Sequence, residues 1–181
     1  VRFGAGELVV DRSPVGLLAA GTCTGGVVAV RRGPGAVELE PDVAGGWLGV
    51  DRPLAWRLGV TGEVPLDLRV EFGAAKASLN LGEVRLRTLE LRTGASETRV
   101  RLPATAGHSS VTAETGAAAL TIEVPTGVAA RIRSRVALGT LNVDEARFPR
   151  TADGHASPDW ETAVNRVELD LRGGVGSIRV A

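Results

Sequence analysis

A short phrase recurs along the middle of this chain, and its period restricts the fold more than any other property of the sequence. The phrase is a run of alternating apolar and polar residues closed by glycine and alanine. It reads Leu68-Arg69-Val70-Glu71-Phe72-Gly73-Ala74, then Leu89-Glu90-Leu91-Arg92-Thr93-Gly94-Ala95, then Val111-Thr112-Ala113-Glu114-Thr115-Gly116-Ala117. A weaker copy, Arg135-Val136-Ala137-Leu138-Gly139, follows. The glycines at 73, 94, 116 and 139 are spaced by 21, 22 and 23 residues. Self-similarity at such a period is the mark of a repeat architecture, in which each unit stacks on the next.

After each of the first three glycines comes a second alternating run: Leu79-Asn80-Leu81, Val100-Arg101-Leu102-Pro103 and Ile122-Glu123-Val124-Pro125. Period-2 alternation turns one side of each run inward. The inward set is Leu68, Val70, Leu79, Leu81, Leu89, Leu91, Val100, Leu102, Val111, Ala113, Ile122 and Val124. Pro103 and Pro125 lack an amide hydrogen and close the second run. Each repeated glycine is expected where the chain needs a positive φ or a close backbone approach. Helix fits poorly, because the apolar spacing is 2 rather than 3.6; the best helical candidate, residues 160–166, is short.

Two runs per period suit either a solenoid or a meander of hairpins, and the outward charges favour the solenoid. Arg69 precedes Glu90 at one offset from the glycine; Glu71, Arg92 and Glu114 share another. Lys76 and Glu97 share a third, and Arg101 and Glu123 a fourth. In every column the sign alternates. Parallel rungs about 4.8 Å apart would bring these charges side by side, whereas an antiparallel meander would scramble them.

The expected layout is one β-solenoid domain over residues 1–181. Irregular N-terminal rungs occupy 1–54, regular repeats 55–143, a long loop 144–162 and a last rung 163–181. Phe148 or Trp160, in the loop, is placed to plug an open end of the core.

Composition excludes several function classes. Apolar residues reach 44%, enough for a continuous core, but aromatics are only 3%, which disfavours a stacking platform for single-stranded nucleic acid or sugars. Lysine plus arginine equals aspartate plus glutamate at 21 each, so no net field draws nucleic acid or anionic lipid. Cys23 is the sole cysteine, which leaves no internal disulfide and no cysteine-built zinc site. Residues 13–30 carry no charge, yet their glycines and threonines suit two short strands and a turn better than a membrane helix. No basic stretch leads into an apolar core of signal-peptide type.

Several phrases, taken in order, resemble a known family. Phe3-Gly4-Ala5-Gly6-Glu7-Leu8 comes first, then Trp56-Arg57-Leu58 and Val64-Pro65-Leu66-Asp67-Leu68. Leu89-Glu90-Leu91-Arg92-Thr93-Gly94-Ala95 precedes Val100-Arg101-Leu102-Pro103, and Val175-Gly176-Ser177-Ile178-Arg179-Val180 comes last. This set resembles the bacterial LiaF-like C-terminal domains, also called toastrack or adhesin-like domains. The resemblance implies a right-handed, single-stranded β-helix-like fold. It also implies association with the bacterial cell envelope, with any membrane anchor lying outside this chain. It supplies no catalytic motif to carry over, and the stretch 42–53 departs from the simplest family pattern.

No residue constellation announces an enzyme or a cofactor. His108 and His155 are expected as exposed loop residues. Asp153, His155 and Ser157 cluster only as turn formers do, and no histidine spacing suits a metal. Gly173-Gly174-Val175-Gly176 lacks the lysine and hydroxyl residue of a phosphate loop and reads as a strand turn. The candidate interaction residues are the basic stripe Arg131, Arg133 and Arg135, and Trp47 in its glycine-rich stretch, although Trp47 suits core packing as well. The expected role is a non-enzymatic interaction or sensory module with a protein partner and no nucleic acid. A carbohydrate-binding or carbohydrate-active β-helix is the alternative, betrayed by unpaired acids or exposed tryptophan along adjacent rungs. A self-assembling adhesin-like unit is another, since unpaired edge rungs invite homo-oligomers by stacking.

Overall fold

The computed structural model describes residues 1–41, 54–105 and 107–181, and within them the chain forms strands and turns with no helix. In chain order the strands are β1 (Arg2–Arg12), β2 (Ala19–Thr24), β3 (Val28–Gly33), β4 (Ala36–Pro41), β5 (Ala55–Val60) and β6 (Leu66–Asn80). They continue with β7 (Leu86–Arg101), β8 (His108–Glu123), β9 (Ala129–Val143), β10 (Arg150–Thr151), β11 (Gly154–Ala156) and β12 (Arg166–Val180). The two runs of each repeat are one long strand bent at its glycine, and short return segments link one strand to the next.

The long strands stack in parallel and in register. Leu68 lies opposite Leu89, and Leu89 opposite Val111; past the bend Leu79 lies opposite Val100, and Val100 opposite Ile122. Every member of the inward set is buried, and they form one hydrophobic cluster. Burying each large aliphatic side chain contributes about 1.5–3 kcal/mol. The chain is a β-solenoid.

Stacking order departs from chain order. The sheet runs β10-β11-β9-β12-β8-β7-β6-β1-β5-β2. Thus β12, expected as the last rung, is threaded between β8 and β9, and β1 between β6 and β5. The first insertion brings acids of β12 beside arginines of β9. Glu168 and Asp170 of β12 stand opposite Arg131 and Arg133 of β9, and on their other side meet Ser110 and Thr112 of β8. Direct stacking of β9 on β8 would leave those arginines without carboxylates. The residues 144–162 supply the length for the return.

The repeated glycines at 73, 94, 116 and 139 have no positive φ; that conformation occurs at Gly107 and Gly127 in the return turns and at Gly6 and Gly176 in the bends of β1 and β12. Close approach is the reason for the repeated glycines. A Cβ on Gly94 would lie 2.6 Å from the Gly73 carbonyl oxygen, one on Gly116 3.0 Å from that of Gly94, and one on Gly174 2.8 Å from that of Gly116. Gly139, the weak fourth copy, belongs to another column: it pairs with Gly176, not Gly174.

Both ends of the stack are dressed differently from its middle. At one end β2 pairs antiparallel with β5, and the separate β3–β4 hairpin is tied to β1 where Arg2 reaches Glu38 (3.5 Å) and Glu40 (3.6 Å). At the other, β10 and β11 cover the start of β9, His155 pairing with Ile132 and Ala156 with Arg131. Phe148 (1% exposed) joins the hydrophobic core cluster, whereas Trp160 (6%) is buried outside it, against His108, Arg131 and Arg166. No helix among the described residues is long and apolar enough to cross a membrane.

Candidate interaction surface

The outward charges meet as the columns require. Arg69 reaches Glu90 at 3.5 Å, Arg92 reaches Glu71 at 3.9 Å and Glu114 at 3.4 Å, and Lys76 reaches Glu97 at 3.7 Å. The column extends further than the repeat phrase showed: Arg2 bonds Glu71 at 3.3 Å on one side, and Arg172 bonds Glu114 at 3.4 Å on the other. One column differs. Arg101 stands opposite Glu123, yet Arg99 makes the ion pair, at 3.7 Å, because a long side chain reaches diagonally across the ladder.

Beside this column runs a long open groove of about 790 Å³. Its floor is the glycine column, and its charged wall is Arg2, Glu71, Arg92, Glu114 and Arg172. The carboxylates there are engaged. The Arg69 guanidinium, hydrogen-bonded to Glu71, holds that carboxyl below its usual range, with Arg2 adding to the effect. Glu114 sits between Arg92 and Arg172.

The basic stripe divides. Arg131 is occupied: it bonds Glu161 at 2.7 Å and Glu168 at 3.8 Å, and its guanidinium lies 4.6 Å from the centre of the Trp160 ring. Arg133 and Arg135 are exposed and have no ion-pair partner among the described residues. Asp170, opposite Arg133, turns to Arg172 at 3.4 Å, and Arg172 is itself the neighbour of Arg135. Trp47 lies outside the described residues. Sequence reasoning missed that β9 has, among the described residues, no strand beside Arg135 on its outer edge, because it placed a different strand at that end of the stack.

The histidines differ from each other. His108 is exposed, edge-on to Trp160 with ring centres 6.3 Å apart. His155 is buried, contrary to expectation, because β11 carries it onto β9; its Nε2 lies 3.7 Å from Glu145. The Ser157 hydroxyl accepts the Ala130 amide at 2.9 Å, and Asp153 is exposed, so Ser157 serves the cap's backbone. Among the described residues no group of three histidine, cysteine or carboxylate side chains is placed to hold a metal. Gly173-Gly174-Val175-Gly176 forms the bend of β12, and burial pushes the Cys23 thiol up, which keeps it protonated.

A parallel β-solenoid with a glycine-lined bend and alternating charge columns defines the class of protein. The chain matches the family model for the N-terminal domain of toast_rack (DUF2154) over residues 30–123, and it belongs to that family. Among solved structures, a candidate cell adhesion protein from Clostridium sporogenes superposes with a TM-score of 0.83 at 17% identity, over 99% of this chain and 89% of that one. At that identity the likeness is one of fold. No curated protein matches the chain.

Proposed function

We propose that this domain is a non-enzymatic interaction module of the bacterial cell envelope that works by presenting a rigid, repetitive surface to a protein partner. The observation that carries the reading is the state of its acids. In the groove where a hydrolytic β-helix would place free carboxylates, Glu71 and Glu114 are each held by arginines from neighbouring rungs. General acid–base work needs a carboxyl free to exchange its proton with substrate, and a carboxylate neutralised by flanking guanidinium groups is a poor candidate. Trp56 and Trp160, which could have stacked on a sugar, are buried. Family membership and the adhesion-type description of the structural neighbour support an envelope setting.

The test is photo-crosslinking in the producing bacterium, with the reactive residue placed in turn on the outward positions Arg99, Thr121 and Leu138. The expected result is a discrete protein adduct in the envelope fraction from at least one position. Absence of a protein adduct from all three positions would overturn the reading, and glycan binding or cleavage by the purified domain would then favour the carbohydrate alternative.

A further inference from the structure

The strand β9 is paired along its full length with β12, but on its other side only Arg131 and Ile132 are paired, with β11. Gly154 of β11 lies against the backbone of Arg133, and from Ser134 to Val143 no described strand lies against that edge. Unpaired amides and carbonyls in such a row are a template for another strand. The core layer behind them is also unfinished. Leu141 and Val143 are half-buried, whereas their neighbours one rung inward, Ile178 and Val180, are 2% and 1% exposed. Leu138 at the bend is 74% exposed.

Charge says what kind of strand fits. Read across the stack, one outward column runs Arg2, Glu71, Arg92, Glu114, Arg172, Arg135. The sign alternates at every step but the last, where two arginines are neighbours. The next strand outward would restore the alternation with a carboxylate opposite Arg135, and a second acid at its end would lie within reach of the Arg133 side chain, whose backbone faces Gly154 of β11. A second copy of β9 cannot supply them, since its residues 129–143 include three arginines and no acid. The pattern required is that of β12 itself, Val167-Glu168-Leu169-Asp170-Leu171, whose acids already stand opposite Arg131 and Arg133 on the inner side.

We infer that the edge of β9 from Ser134 to Val143 receives an extended acidic segment of a protein partner as an added β-strand, with Arg135 and the flanking Arg133 side chain reading its carboxylates. The inference rests on the interaction-module reading and names its site.

Three blocked synthetic peptides serve as probes in fluorescence anisotropy with the whole chain. One is built on the alternation Val-Glu-Leu-Asp-Leu, one replaces its acids by lysine, and one is the acidic peptide N-methylated on alternate amides. The acidic peptide should bind, and the other two should bind at least about tenfold more weakly, one for lack of charge complementarity and one for lack of main-chain bonds. The double variant Arg133→Glu/Arg135→Glu, checked for an unchanged circular dichroism spectrum and melt, should reverse the preference toward the lysine peptide. Equal binding of acidic and lysine peptides, no binding of either, or full binding of the N-methylated peptide would overturn the proposal. So would a chain dimer that blocks the edge and survives the double charge reversal. A protein adduct in the bacterium without peptide binding here sinks the edge alone, and absence of any adduct sinks the module reading with it.

Discussion

At Gly94 a single methyl group decides how closely two turns of the coil can lie. Its Cβ would stand 2.6 Å from a backbone oxygen, which cannot move without shifting the rung beneath. Gly94→Ala is expected to lower stability by about 1–3 kcal/mol, the cost typical of overpacking. Gly4→Ala is its control, because nothing lies within 4 Å of a Cβ there; the change should stay within about 0.5 kcal/mol. Urea denaturation of both variants reads the contrast, and equal losses would refute the close-approach account. Asp67 offers a second test at this scale. Hydrogen bonds from Arg87 and Thr88 lower its pKa from the ordinary 3.8 to about 2. A depressed carboxyl pKa adds stability above the ordinary value, and the gain is lost as pH falls through that value toward the folded one. Asp67 and Arg87 are well exposed, so solvent screens the pair and its contribution is small. Asp67→Asn should therefore melt slightly below the parent at pH 7, and the gap should close between about pH 4 and pH 2. A gap that persists below pH 2 would show that the loss is not electrostatic.

The strand is the scale at which sequence was most informative. Alternation is a local property, so the inward set from Leu68 to Val124 was readable from spacing, and it is buried throughout. Columns of charge were readable because parallel stacking in register converts equal offsets into contacts, as at Arg92 between Glu71 and Glu114. Arg92→Glu should accordingly lose two attractions and gain two repulsions, about 1–2 kcal/mol in all. Arg92→Gln should lose less, and raising the salt concentration should narrow the difference between the two. Thermal melts at low and high ionic strength check both statements; a cost independent of salt would point to packing instead. The burial of His155 was not readable. Asp153, Gly154 and Ser157 around it are turn formers, and what covers the imidazole is a pairing with β9 across more than twenty residues of sequence. Nor was the outer edge of β9 at Arg135, which no described strand covers, since a long-range choice of neighbour sets it.

Over the whole molecule, that choice of neighbour changes how stability is shared. In a solenoid stacked in chain order, removing the last turn trims one end. Here β12 holds β8 and β9 together along nearly its full length. A chain ending at Asn165 should therefore lose the fold of β9 and its cap as well, not one rung. The expected readings are a collapse of the β-type circular dichroism spectrum and rapid proteolysis. A soluble truncated chain that unfolds cooperatively, with its denaturant dependence reduced in proportion to its length, would contradict this. The same threading matters under load. The strand nearest each terminus, β1 and β12, is bonded to parallel neighbours on both flanks. Tension drawn through the two termini would thus be borne in shear, by many main-chain bonds at once, instead of peeling an outer strand away bond by bond.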